Sequence, residues 1–218
     1  MSTNLGNVLK QTKCSIDDIV QAVETNGDLS DLKLPQKSSK KLISILKDEL
    51  DMRNEEPKVL MVLGSIVPNA NLINQIVGSG PELSSICDKL LSTAISSKRA
   101  NDLDQKSLSI IFGLINRSDK LKSQLCMSIQ EYILTSIDHK TIDPQLLPTA
   151  MEILVCAVTH HQENRTFFIK NTPKEKISAV FDLSKSTGNI MVQIFCAEFL
   201  WRVAIPMRMS QDIREICN

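Results

Sequence analysis

Residues 164–204, NRTFFIKNTPKEKISAVFDLSKSTGNIMVQIFCAEFLWRVA, decide the fold. The stretch has three parts, and in each part apolar residues recur at the three- and four-residue spacing of a helix. Thr172-Pro173 and Gly188 separate the parts, and these residue types end one helix or begin the next. The sequence therefore predicts a short helix, a longer helix and a third, strongly apolar helix in succession.

The apolar end of the third helix has counterparts earlier in the chain. VLGSIVPN (62–69), IIFGLINR (110–117) and ILVCAVTH (153–160) resemble FLWRVA (199–204), and the successive segments begin about 43–48 residues apart. Armadillo and HEAT repeats have a period of about 40–47 residues. In such arrays each unit leaves an apolar face that only its neighbour covers.

The period predicts an all-α fold with the architecture of an armadillo/HEAT-like α-solenoid. We expect about three repeats over residues 57–218, preceded by N-terminal cap helices over residues 1–56, all within one domain. The alternative is a nonrepetitive helical bundle with coincidental spacing. The composition agrees with helices, because only 7 residues are glycine and 4% are aromatic, whereas sheets are rich in aromatic residues and their turns in glycine.

Local signals place several helix ends. Ser15-x-x-Asp18 and Thr172-Pro173-x-Glu175 resemble capping boxes, in which a side chain at each end satisfies a free backbone N–H. Pro206 is expected to end the last helix. Five apolar residues at four-residue spacing predict one further helix, and they are Leu121, Leu125, Ile129, Ile133 and Ile137.

Charge and hydropathy exclude some classes of protein. The 218 residues contain 25 Lys and Arg and 25 Asp and Glu, so a protein that mainly coats nucleic acid or an anionic membrane is disfavoured. No apolar run of about 18 residues predicts a membrane span, and the first residues do not resemble a signal peptide. We therefore expect no membrane contact.

The cysteine pattern indicates reduced, buried thiols in the cytosol or nucleus. No C-x-x-C pair exists, so a zinc ribbon or a thioredoxin motif is not predicted. Cys14 lies at a predicted helix start, where a thiol pKa can fall, although burial is the favoured interpretation. The six cysteines are Cys14, Cys87, Cys126, Cys156, Cys196 and Cys217.

The sequence does not predict an enzyme. Phosphate-binding glycine loops, a G-x-S-x-G elbow and H-E-x-x-H are all missing. The adjacent residues His160 and His161 would point about 100° apart on a helix, so they are interpreted as a solvated helix end rather than as metal ligands. No catalytic, cofactor-binding or metal-binding residue is predicted.

Three stretches together resemble one family. They are Cys14-x-Ile16-Asp17-Asp18, Ser39-Lys40-Lys41-Leu42-x7-Glu49-Leu50 and Gln193-x4-Glu198-x-Leu200-x-Arg202-Val203. In order and spacing they resemble the N-terminal armadillo-like domain of synaptonemal complex protein 2 and the fungal meiotic chromosome axis core proteins. The resemblance covers nearly the whole chain.

The resemblance implies a non-enzymatic interaction domain at the N-terminal end of a longer chromosome-axis protein. It implies a location on meiotic chromosomes in the nucleus and binding of centromere or chromatin proteins. A general armadillo/HEAT adaptor unrelated to meiosis is the alternative. The isolated domain is expected to be monomeric.

Two groups of residues are candidates for binding a partner. Arg117, His160 and Arg202 lie at or near the ends of predicted third helices, which line the concave surface of a solenoid. Lys37, Lys40 and Lys41 form a basic cluster that could contact phosphates. This basic cluster is compatible with a further alternative, in which a HEAT-like fold binds the phosphate backbone of a nucleic acid.

Overall fold

The computed structural model describes residues 5–26, 29, 32–53 and 56–204. Within these ranges every regular element is helical and no strand occurs, so the predicted all-α class is confirmed. The α-helices are α1 (Leu5–Val8), α2 (Ile16–Asn26), α3 (Gln36–Asp48), α4 (Glu56–Ile66), α5 (Ala70–Ser79), α6 (Glu82–Ser96), α7 (Asp102–Ile115), α8 (Asp119–Gln124), α9 (Cys126–Ile129), α10 (Thr135–Asp138), α11 (Leu147–Val158), α12 (Gln162–Asn171), α13 (Lys174–Ser186) and α14 (Ile190–Ala204). Two π-helical turns, Glu49–Arg53 and Gln130–Leu134, continue α3 and join α9 to α10.

Helix starts follow local chemistry where a capping side chain is present. The Asp18 carboxylate accepts hydrogen bonds from the backbone N–H and the hydroxyl of Ser15, and Ser15 Oγ accepts one from the Asp18 N–H at 3.2 Å. The capping box predicted there is confirmed. Asn101 and Asp104 form a second box at the start of α7, which the sequence analysis did not predict.

The capping box predicted at Thr172 is wrong. Pro173 is the residue that precedes α13, and its helix start has no side-chain cap. The Thr172 hydroxyl instead accepts a hydrogen bond of 2.7 Å from Gln130 Nε2. A contact between distant parts of the chain therefore replaces the local one.

The helix predicted from Leu121 to Ile137 is divided into α8, α9, a π turn and α10. In an α-helix each step of four residues moves about 40° around the helix axis, so five apolar residues at this spacing would not all stay on one side. The break at Leu125 and the wider turn at Gln130–Leu134 interrupt the regular helix. All five apolar residues of the stripe are buried.

Helices at corresponding places in successive groups pack on one another. Helix α4 packs on α7, α7 on α11 and α11 on α14. Helix α3 packs on α6, α6 on the second π turn, and α10 on α13. One row of helices therefore consists of α4, α7, α11 and α14. A second row beside it consists of α3, α6, α10 and α13.

Hydrogen bonds between the groups join residues about forty positions apart. Asn69 Nδ2 donates to the carbonyls of Leu29 and Leu32 at 2.8 Å each. Asn164 Nδ2 donates to the carbonyl of Lys122 at 3.3 Å. Further side chains make such contacts, with sequence separations of 37 to 44 residues, and they are Gln75, Lys89, Gln105, Lys122, Ser123, Gln130, Cys156 and Lys176.

Across the described ranges, no helix taken alone combines the length and apolar character of a membrane span, and only α4 and α5 as a pair, bent by 119°, satisfy both.

Candidate partner-binding surfaces

Arg117 and His160 occupy corresponding turns of the fold. Arg117 follows α7 and His160 follows α11, and both side chains are exposed. The two helices pack side by side, and Cys156 Sγ donates a hydrogen bond of 3.9 Å to Asn116 Oδ1 near their ends. The structure therefore places these two predicted residues on neighbouring turns of one surface.

His160 has a backbone conformation that is unusual for its residue type. Its φ angle is 53°, in the left-handed region that favours glycine after a helix end. The next residue, His161, is the N-cap of α12, and its Nδ1 accepts a hydrogen bond of 3.2 Å from the Asn164 N–H. A neutral ring with this acceptor carries its proton on Nε2, which donates to Ser123 Oγ at 2.8 Å. His161 is thus a capping residue, while His160 alone is free to meet a partner.

Arg202 differs from the other two residues because its guanidinium already has a partner. Its Nε and Nη2 donate to Glu198 Oε1 at 2.9 and 2.5 Å, and only 20% of its side chain is exposed. The guanidinium also lies 6.0 Å from the ring centre of Trp201. An ion pair at the i,i+4 spacing is a signal that the sequence contains, and the sequence analysis did not use it.

The outer side of α14 exposes large apolar side chains. Ile190, Ile194 and Trp201 are 68%, 49% and 61% exposed, and Ala197 lies between them on the same side. The opposite side of α14 is buried. The sequence did not mark this exposure, because apolar residues on two opposite sides of α14 predict a helix that is buried on both.

The basic cluster on α3 is only partly free. Lys37 and Lys40 are exposed, whereas Lys41 is half-buried and its ammonium donates to the carbonyl of Gln11. One of the three lysines therefore has a structural contact with the segment before α2. The remaining two give the surface a small positive patch.

An open groove between α10 and α13 was not predicted. It has a volume of about 860 Å³, and its lining includes Asp138, Lys140, Glu175 and Asp182 together with the apolar Leu183. Lys140 has a φ of 56°. The groove brings together residues about forty positions apart, so local sequence motifs do not mark it.

Burial raises the pKa of every thiol that the structure describes. Burial raises the pKa of Cys87 and of Cys126 to about 12 and that of Cys196 to about 11. At Cys14 burial outweighs the nearby Lys41 and also raises the thiol pKa. The suggested lowering of the Cys14 pKa is therefore wrong, while Cys217 lies outside the described residues. Among those residues no group of three or more His, Cys, Asp or Glu side chains could hold a metal ion.

A comparison of the chain with models of known families, with curated proteins and with solved structures finds no match.

Proposed function

We propose that the chain is an α-solenoid of armadillo type that works as a non-enzymatic, protein-binding scaffold. One observation carries the proposal, namely the hydrogen bonds between groups of helices at separations of 37 to 44 residues. Separations that cluster near forty residues are what stacked repeats of about that length produce. Stacked repeats create extended surfaces, and proteins of this kind use them to bind partners.

The proposal divides the chain into four units rather than three repeats behind a cap. Helices α2 to α4 contact the next group through α3, which packs on α6, and through α4, which packs on α7. Helices α5 to α7 contact the group after them in the same way, through α6 and α7. The boundary expected at residue 57 lies one residue inside α4. The first unit in this arrangement therefore includes residues that the sequence analysis assigned to the cap.

We place the partner on the surface that carries Arg117 and His160. Both residues are exposed, they lie on neighbouring turns, and neither has a contact that the fold requires. The finer proposal follows the family resemblance: the partner is a centromere or chromatin protein of the meiotic chromosome axis, bound in the nucleus. Arg202 is a weaker candidate since Glu198 already binds its guanidinium.

The test compares two double variants as immobilised bait in nuclear extract from meiotic cells. Arg117→Ala with His160→Gly removes both candidate side chains, and glycine suits the left-handed backbone at position 160. The control is Lys120→Ala with Lys140→Gly, which removes two exposed charges, one of them at the other left-handed position of the described residues. Mass spectrometry then quantifies each captured protein against the unaltered chain.

We expect the first variant to lose at least about tenfold in captured partner, a loss typical of removing central contacts, and the control to lose less than about twofold. Equal capture by both variants and the unaltered chain would refute the proposed surface. Loss in the control alone would move the site to the groove between α10 and α13. Recovery of nucleic acid that moderate salt removes, with loss on Lys37→Ala and Lys40→Ala, would favour the nucleic-acid alternative.

A further inference from the structure

The open groove between α10 and α13 has an apolar floor. Ile137 is buried, Ala179 and Leu183 are half-buried, and all three line the groove. Its volume of about 860 Å³ lies in the range of about 300–1,000 Å³ that is common for ligand-binding clefts. Small molecules bind best where a cleft encloses most of their surface. An open groove is therefore better suited to an elongated ligand.

Two carboxylates stand on the α13 side of this floor. Glu175 and Asp182 are exposed, and both line the groove. They are seven residues apart, so they project from one face of α13 and lie about 10.5 Å apart along the helix axis. Within the part of the chain that the structure describes, neither carboxylate has a hydrogen bond or an ion pair. Both are therefore available to a ligand.

Two lysines of α13 have contacts of their own. Lys176 Nζ donates a hydrogen bond of 2.7 Å to Thr135 Oγ1, and Lys185 Nζ lies 3.9 Å from the ring centre of Phe181. The charged residues that line the groove are three acids and two lysines, and they are Asp138, Glu175, Asp182, Lys140 and Lys174. The lining therefore has an excess of one negative charge, which favours a cationic ligand.

Small side chains fill the space between the two carboxylates of α13. Ser178 and Ala179 follow Glu175 by three and four residues, and Ser186 follows Asp182 by four. Side chains of this size leave the apolar floor accessible from outside. An apolar group of a ligand that reaches the floor here would have a carboxylate on each side of it.

We propose that the groove binds an amphipathic helix of a partner protein, with two basic residues seven positions apart and apolar residues between them. In such a helix the basic residues lie about 10.5 Å apart, which matches the separation of Glu175 and Asp182. The apolar residues three and four positions after the first basic residue contact the floor. A groove between two helices is a common site for an amphipathic helix of this kind.

Fluorescence anisotropy with two synthetic peptides tests the groove. The probe is a fluorescein-labelled helical peptide of 18 residues with lysine at two positions seven apart, leucine three and four positions after the first lysine, and alanine or glutamine elsewhere. The matched peptide has glutamate in place of both lysines. The test variant of the full chain is Glu175→Gln with Asp182→Asn. Its control, Glu24→Gln with Glu82→Gln, removes two exposed carboxylates outside the groove.

We expect the lysine peptide to bind the unaltered chain at least tenfold more tightly than the glutamate peptide. The test variant should weaken binding of the lysine peptide about fivefold, because two exposed ion pairs are lost, and the control should weaken it less than about 1.5-fold. Equal binding of the two peptides would overturn the proposal. An equal loss in the test and control variants would overturn it too, since only the total charge of the chain would then matter.

Lys140→Gly tests the sign of the charge effect. Lys140 lines the groove and has a φ of 56°, which glycine adopts without strain. The variant removes a like charge from the site of a cationic ligand, so it should strengthen binding of the lysine peptide about twofold. Weaker binding would contradict a cationic ligand.

Nuclear magnetic resonance of the ¹⁵N-labelled chain locates the bound lysine peptide. We expect the amide signals of residues 137–140 and 174–186 to shift and those of Arg117 and His160 to stay unchanged. Ser178→Arg places a bulky cation between the two carboxylates and should weaken binding at least tenfold without changing the circular dichroism spectrum. Shifts confined to Arg117 and His160 would refute the groove. The groove is a second surface, so either proposal can fail without the other.

Discussion

Single buried amides hold successive groups of helices together. Asn69 is 2% exposed, its Nδ2 donates to two carbonyls from the segment before α3, and its Oδ1 accepts from the Leu72 N–H at 2.9 Å. Asn164 has a similar role, with Nδ2 donating to the carbonyls of Lys122 and Ala157. Asn69 is the N-cap of α5 and Asn164 lies in the first turn of α12, so each side chain fixes the start of a helix to earlier residues. Its loss leaves buried carbonyls without donors, which is costly.

Asn69→Ala should lower the free energy of unfolding by about 3 kcal/mol, because it removes three hydrogen bonds and leaves buried carbonyls unpaired. Urea unfolding followed by circular dichroism measures the change. Asn71→Ala, an exposed asparagine in the same helix, should change stability by less than about 0.5 kcal/mol. Similar values for the two variants would show that the Asn69 contacts contribute little.

A carboxylate joins two loops in a way that depends on pH. Asp143 accepts hydrogen bonds from the Ala100 N–H at 3.0 Å and from the Gln145 N–H at 2.8 Å. The bond from Ala100, then that from Gln145, lowers the pKa of Asp143 below its ordinary value of 3.8. A lowered folded-state pKa stabilises the fold above pH 3.8, and this contribution is lost as the pH falls through the folded-state value.

Asp143→Asn should therefore be less stable than the unaltered chain at pH 6, and the difference should shrink as the pH falls below about 4. Urea unfolding at pH 6, 5, 4 and 3 measures the difference. Asp102→Asn, at an exposed carboxylate in the first turn of α7, is the control for a general change of charge. A difference for Asp143→Asn that stays constant from pH 6 to pH 3 would contradict the role of its ionised form.

Local chemistry explains which residue roles the sequence could predict. The Ser15–Asp18 cap joins residues three positions apart, so the sequence alone contains both partners. The partner of Asp143 lies 43 residues away, and no local rule connects the two. The same holds for Thr172, whose hydroxyl contacts Gln130 instead of capping α13.

At the scale of the elements, one glycine lets two helices of the row approach closely. A Cβ atom added at Gly113 in α7 would lie 2.7 Å from Cγ1 of Val67, just after α4. A Cβ at Gly64 in α4 would lie 3.7 Å from Ile110 Cδ1, which is an ordinary contact. The two positions resemble each other in sequence, but only Gly113 is required by packing.

Alanine should have opposite effects at the two glycines. Gly64→Ala should stabilise the protein by about 0.5–1 kcal/mol, because alanine favours a helix and its methyl group fits. Gly113→Ala should destabilise it by about 1 kcal/mol or more, because Val67 is β-branched and cannot easily move away. Thermal and urea unfolding measure both, and stabilisation by Gly113→Ala would mean that α4 and α7 separate readily.

Periodicity predicted helices better than their interruptions. The endings of α4, α7 and α11 lie within the segments that the sequence analysis aligned. The sequence analysis missed the π turn at Gln130–Leu134, because apolar residues spaced by four resemble one continuous helix. It did not take into account the offset of about 40° around the helix axis at each step. On α14 the pattern indicated which side is buried, at Val192, Phe199 and Val203, and gave no reason to expect an uncovered side.

At the scale of the whole molecule, the helices that pack extensively on one another belong to the same group or to neighbouring groups. The Phe168 ring in α12 packs edge-on against Phe199 in α14, with ring centres 5.6 Å apart. Leu63 is fully buried in α4, at the other end of the row. In an array of stacked units, a defect is felt mainly within its own unit and the adjacent one.

Phe168→Ala should therefore lower amide hydrogen-exchange protection in α12 to α14 more than in α2 to α4, with a local cost of about 3–5 kcal/mol. Leu63→Ala should give the reverse order. Hydrogen exchange with mass spectrometry under native conditions measures both patterns. An equal loss of protection along the whole chain in both variants would identify one cooperative unit and contradict the stacked arrangement.

The apolar pattern of the sequence predicted the all-α class and the segments in which α4, α7 and α11 end. It could not predict the proposed binding surface, because exposure at Arg117 and pairing at Arg202 depend on side-chain contacts. The groove between α10 and α13 could not be predicted from the period for the same reason.

Three of the amides that join the groups of helices donate to main-chain carbonyls, namely Asn69 to that of Leu29, Gln75 to that of Leu34 and Asn164 to that of Lys122. Every amino acid supplies the same carbonyl. The accepting residues can therefore be substituted in evolution without loss of these hydrogen bonds, whereas the donating residues must be conserved. Divergent descendants of this chain would keep a sparse set of asparagine, glutamine and lysine residues about forty positions from partners of any identity.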